Sequence, residues 1–144
     1  MVLHIVTSVA LLGEVWALVA LNVYVTAAAD ADLARSAYRL MEVLVFAGGI
    51  PLSMTALIAG ITLALGTHWG LLRHYWIFAK LILLVAVILC GMVLFQPAPM
   101  AEAMANGTLT AAEQWRQVAV VAVQLVMLVS ATVLSVFKPK GRMR

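Results

Sequence analysis

Apolar residues run along this chain in four long blocks, each broken at helical spacing by a few small or polar positions. The blocks lie at about residues 3–26, 38–66, 71–95 and 114–137. Each is long enough to cross a hydrocarbon core roughly 30 Å thick, which takes about 20 helical residues. At about 100° per residue, the interrupting positions of each block fall on one face. In the first block these are His4, Thr7, Leu11, Glu14, Leu18 and Asn22, and in the second Glu42, Gly49, Ser53, Ala56, Gly60 and Thr67. The third aligns Arg73, Trp76, Lys80, Leu84, Val87 and Gly91, and the fourth Gln117, Val121, Gln124, Leu128, Ala131 and Ser135. The other faces are nearly pure Leu, Val, Ile and Ala, as lipid-facing surfaces should be. The pattern predicts an all-α, four-transmembrane-helix bundle, one integral membrane domain over 1–144, with the polar stripes turned inward.

Span ends and bends have local causes. Thr110-Ala111-Ala112-Glu113 has capping-box spacing, so the fourth span is expected to begin at Ala111. Pro97 and Pro99 end the third span and leave a loop over 98–110, and a second loop is expected over 27–36. Pro51, with Gly48-Gly49 just before it, should bend the second span. Small residues at Gly49, Ser53, Ala56 and Gly60 suit close helix approach, which carries association where no hydrophobic effect acts between helices. Trp69, Tyr75, Trp76 and Trp115 stand where interfacial aromatic belts are expected. Met100 and Met104 read as a loop dipping into lipid.

Composition agrees with the class. Of 144 residues 65% are hydrophobic and 10% charged, and the mean hydropathy is +1.09. Basic residues orient the chain. The tail Lys138–Arg144 carries four cations and no acid, Arg73 lies in the turn between spans two and three, and Asp30, Asp32, Glu102 and Glu113 crowd the other two connections. The positive-inside rule therefore places both termini in the cytoplasm and the protein in a bacterial cytoplasmic membrane. The tail should meet anionic lipid headgroups and is too short for nucleic acid. Ala27-Ala28-Ala29 is compatible with signal-peptidase cleavage, but the segment lacks a basic start and its apolar part is too long, so retention is the expected outcome. Asn106-Gly107-Thr108 is a sequon of low specificity. Cys90 is the single cysteine, so no intramolecular disulfide can form.

Ionisable groups in hydrocarbon are expensive and mark function by default. Glu14, Glu42, Lys80 and the amide Gln124 stand out among the polar positions within the apolar blocks. If spans one and three are neighbours, Glu14 and Lys80 can pair, either as a structural ion pair or as a proton relay or ligand anchor. Glu42 lies near the surface within reach of Arg39. His4, His68 and His74 fall on one side in this topology and form a candidate haem or metal site, against the plainer reading of solvated helix ends. No HExxH, CxxC, Walker A or nucleophile elbow is present.

Leu3-His4-Ile5-Val6 followed by Gly13 and Trp16, Gly60-Ile61-Thr62-Leu63-Ala64, and Tyr75-Trp76-Ile77-Phe78-Ala79-Lys80-Leu81 together resemble the CopD/HemJ-like four-helix membrane families over roughly residues 3–95. In the HemJ-type proteins the first-span histidine and third-span lysine are associated with haem binding and protoporphyrinogen oxidation. The resemblance carries these roles to His4 and Lys80. Where those proteins have a further histidine near the end of span three, this chain has Cys90-Gly91-Met92. CopD-like proteins are associated with copper import. The resulting expectation is a haem- or redox-associated membrane protein. His4, Glu14, His74 and Lys80 would serve a cofactor such as haem b, and His4, His68 and His74 a metal such as copper. The alternatives are a non-catalytic accessory subunit of a larger membrane complex and a small oligomeric transporter for a metal ion or small solute.

Overall fold

A computed structural model describes residues 2–28, 30–66 and 75–137. Six α-helices follow in order: α1 (Val2–Ala28), α2 (Ala31–Leu44), α3 (Ile50–Gly66), α4 (Tyr75–Val93), α5 (Pro97–Ala105) and α6 (Ala111–Phe137), with a π-helical turn, Val45–Gly49, joining α2 to α3. Among the described residues there is no strand. Four stretches are long and apolar enough to cross a membrane: α1, the continuous Ala31–Gly66 helix, the stretch from Tyr75 through α5, and α6. The chain is thus a four-span helical bundle of multi-pass membrane type.

The helices form a square. α1 packs against α3 and α6, and α4 packs against the same two, which leaves α1 and α4 on the diagonal. The inward stripe of α6 is the expected one, since Gln117, Val121, Gln124 and Leu128 are its buried residues. On α1 the buried face is Thr7, Leu11, Val15, Leu18, Asn22 and Val25, the predicted stripe with Glu14 at its edge. Leu11, Val15, Val87 and Leu128 meet at the centre of the square.

The second span is longer than a bilayer needs. Its 36 residues reach about 54 Å at 1.5 Å per residue, so α2 carries the outer part. Asp30 caps α2 by accepting a hydrogen bond from the Leu33 amide at 3.0 Å. One face of α2 buries Ala34, Ala37, Tyr38 and Met41, while Asp32, Arg35, Ser36 and Arg39 face outward. This corrects the loop expected over 27–36: the helix starts at Ala31 and the polar residues lie on its exposed side. Near Pro51, where a bend is expected, the helix takes a π-turn over Val45–Gly49, immediately before Ile50 and that proline.

The loop expected over 98–110 is also corrected. Pro97 opens α5, because a proline at the first helical position loses no hydrogen bond and already has the needed φ. α5 packs along α2. Met100 does not dip into lipid. It is buried with Tyr38, Met41, Val25, Phe95 and Val121 in the larger core cluster. The bend between α4 and α5 is held from α6: Gln117 donates from Nε2 to the Leu94 carbonyl at 3.3 Å and accepts from the Gln96 amide at 3.3 Å. The Thr110–Glu113 capping box forms as expected, with the Thr110 amide 2.9 Å from the Glu113 carboxylate and the Glu113 amide 3.3 Å from Thr110 Oγ1.

Candidate functional site: a carboxyl in an intramembrane cavity

Glu14 is the acidic residue of α1, and both of its carboxyl oxygens are buried. Its position on α1 turns it toward the π-turn, where two glycines leave the backbone bare. A Cβ at Gly49 would lie 2.8 Å from Glu14 Oε1, and one at Gly48 would lie 3.4 Å from Oε2. The carboxyl group therefore rests on peptide backbone: a Cβ at Gly49 would require the Glu14 side chain to shift, while one at Gly48 would sit at ordinary contact distance. The backbone of Gly49 faces the carboxyl without meeting hydrogen-bond geometry. Both Glu14 oxygens are buried and, among the described residues, neither has a hydrogen-bond partner. A π-turn within an α-helix often marks a functional site, and here it supplies the surface on which Glu14 lies.

Glu14 is also one of the residues lining a cavity of about 470 Å³. Leu11, Val15 and Leu18 of α1, Gly49, Ser53 and Met54 of the second span, Val87 and Gly91 of α4, and Gln124 of α6 form its walls. Phe46, Ile50 and Met92 line it and are exposed, so the cavity is open on the side where the second and third spans meet. Gln124 is held in place rather than free to swing: its Nε2 donates to the Val87 carbonyl at 2.9 Å. Glu42, Gln96, Pro97 and Pro99 lie at the α2–α5 end. There Glu42 also borders a separate polar groove of about 380 Å³ with Arg35, Arg39, Glu102 and Asn106, which agrees with its expected surface position.

The Glu14–Lys80 pair is not formed. The central cluster sets Val87 level with Leu11 and Val15, and Lys80 lies seven residues earlier on α4, about 10 Å toward the other end of the bundle. Spans one and three are also diagonal rather than adjacent. Lys80 instead places its Nζ 5.5 Å from the centroid of the Trp76 ring, a cation–π distance.

His4 serves helix packing. Its Nδ1 donates to the Ala56 carbonyl at 3.1 Å, and its ring covers Gly60, where a Cβ would come within 3.1 Å of Cε1. With Nδ1 carrying the proton, Nε2 remains the lone-pair nitrogen. His68 and His74 lie outside the described residues. Among the described residues no group of three or more His, Cys, Asp or Glu side chains could hold a metal ion, and His4 does not line the cavity. Among the described residues His4 is the one imidazole, and it is packed on a glycine away from the 470 Å³ cavity. Ser53, Met54, Phe46 and Met92 line the cavity without having been singled out for chemistry. Ser53 lay on the predicted inward stripe, but the apolar three carry no sequence signal that separates a cavity wall from a lipid face.

No protein-family model, curated protein or solved structure matches this chain. Fold and site define its class: a small four-span membrane protein with a laterally open, carboxyl-bearing cavity among its helices.

Proposed function

We propose that this protein takes a small apolar molecule from the bilayer into the central cavity, the binding step of a small-solute transporter or of a ligand-binding membrane subunit. The observation that carries the reading is the cavity itself, walled mostly by apolar side chains and bordered by Glu14, whose carboxyl oxygens are buried without a hydrogen-bond partner among the described residues. Membrane-protein carboxyls in such positions line substrate or proton paths by default. Ser53 is buried on the cavity wall, so Ser53→Phe should fill part of the space. Binding of a neutral aromatic probe to the full chain in nanodiscs should weaken by about tenfold or more, the factor that 1.4 kcal/mol represents. Unchanged binding would sink the cavity reading.

We also place the protein in a bacterial cytoplasmic membrane with both termini inside, as the basic tail and the acidic Asp30, Asp32 and Glu102 support. In a Cys90→Ala background, Asp30→Cys and Asn106→Cys should label from outside the cell and Arg144→Cys should not. Labelling of the tail alone would invert the topology.

Haem association, implied by the resemblance to the CopD/HemJ-like families, is the competing reading. Its support is the Nδ1 hydrogen bond of His4, which orients the ring and leaves Nε2 for a metal. A Soret band in purified protein that disappears in His4→Ala would favour it over the cavity reading. Copper uptake abolished by the same change would do likewise. An accessory subunit would instead reveal itself by co-purifying with a larger membrane complex.

A further inference from the structure

We infer that the ligand of the Glu14 cavity is a hydrophobic organic cation, an ammonium group on an apolar body, and that Glu14 gives up a proton as the cation enters. The inference rests on the cavity reading above and names its substrate class. Charge carries it. Among the described residues lining the cavity, two bear carboxyls, Glu14 and Glu42, and none bears a cation. Both Glu14 oxygens are shielded and without a hydrogen-bond partner. A carboxylate in such surroundings is strongly disfavoured unless a counter-charge sits beside it. Lys80 on α4 and His4 on α1 are the nearest basic groups along those helices, and both lie toward the opposite end from the α2–α5 cap. On α2, Arg35 and Arg39 line the separate polar groove with Glu42 rather than the cavity. α3 and α6 present no titratable group to the cavity, and α5 presents only prolines and alanine. No counter-charge faces Glu14 among the described residues lining the cavity, and in this proposal it arrives with the ligand.

Shape agrees with charge. The opening is flanked by Phe46, Ile50 and Met92, which favours entry from the bilayer by a molecule with an apolar body. About 470 Å³ accommodates a drug-sized molecule but not a whole phospholipid. Proton balance is simple: the empty site holds the Glu14 carboxylic acid, the bound site holds carboxylate and cation, and the proton passes to water.

The experiment compares a matched pair of probes, benzyltrimethylammonium and its uncharged isostere neopentylbenzene, by equilibrium binding to the full chain in phosphatidylcholine nanodiscs. The cation should bind with an affinity that rises with pH, approaching about tenfold per pH unit, the limit for one-for-one proton exchange. The isostere should bind without pH dependence. Glu14→Gln should keep the isostere and lose both the cation preference and the pH slope, and Glu14→Asp should restore the slope with weaker affinity. If Glu14→Gln fails to fold, the Glu14→Asp slope decides. Equal, pH-independent binding of the two probes would overturn this inference and leave the cavity reading standing. Binding of neither probe would overturn both. A slope that survives in Glu14→Gln but vanishes in Glu42→Gln would overturn the assignment to Glu14.

Discussion

Tyr38→Ala should cost about 3–5 kcal/mol, the usual range for deleting a large buried aromatic side chain. Tyr38 is fully buried, at 0% exposure, and stands with Met41 among the largest buried side chains. It belongs to the cluster that joins α2 to Val25 of α1, Phe95 and Met100 of the third span, and Val121 of α6. Unfolding of the detergent-solubilised protein by increasing SDS, followed by circular dichroism, measures the loss. A change under about 1 kcal/mol would show that the α2–α5 end does not unfold together with the bundle.

The second large effect is at the α1–α3 seam. Gly60 lies under the His4 ring, and any side chain there would place its Cβ 3.1 Å from Cε1. Gly60→Leu should therefore destabilise by about 1–3 kcal/mol, the common cost of overpacking, and should also break the His4–Ala56 hydrogen bond. The clash has an identifiable partner, so His4→Ala in the same chain should recover at least half of the loss in the same unfolding assay. Strict additivity of the two changes would mean that Gly60→Leu destabilises for reasons unrelated to the imidazole.

Much of the bundle could be read from spacing. The Gln117, Val121, Gln124, Leu128 stripe became the buried face of α6 because a 3.6-residue period is a property of one helix and needs no knowledge of its neighbours. The Thr110–Glu113 cap was legible for the same reason, since it is local. The order of helices around the square is not local, and Glu14–Lys80 failed there: each residue faces inward, yet their helices stand on the diagonal and their levels differ. α5 was missed because Pro97 and Pro99 are ambiguous punctuation, able to stop one helix and to start the next. Glu14 was legible as an anomaly in an apolar run, but its seat on Gly48 and Gly49 was not, since nothing in the sequence pairs residue 14 with residue 49. His68 and His74, on which the three-histidine site depended, fall outside the described residues.

The π-turn at Val45–Gly49 has a bearing on how this chain tolerates changes in length. A π-turn is an α-helix with one residue too many, accommodated without breaking the rod. Deleting a single residue between Leu44 and Ile50 would let the whole second span run as one α-helix, while turning α2 by about 100° against α3. Tyr38 and Met41 would then swing away from α5, and the carboxyl of Glu14 would lose its glycine floor. Shortening here is a change of phase between two halves of one helix, and it would uncouple the outer end of the bundle from the cavity in a single step.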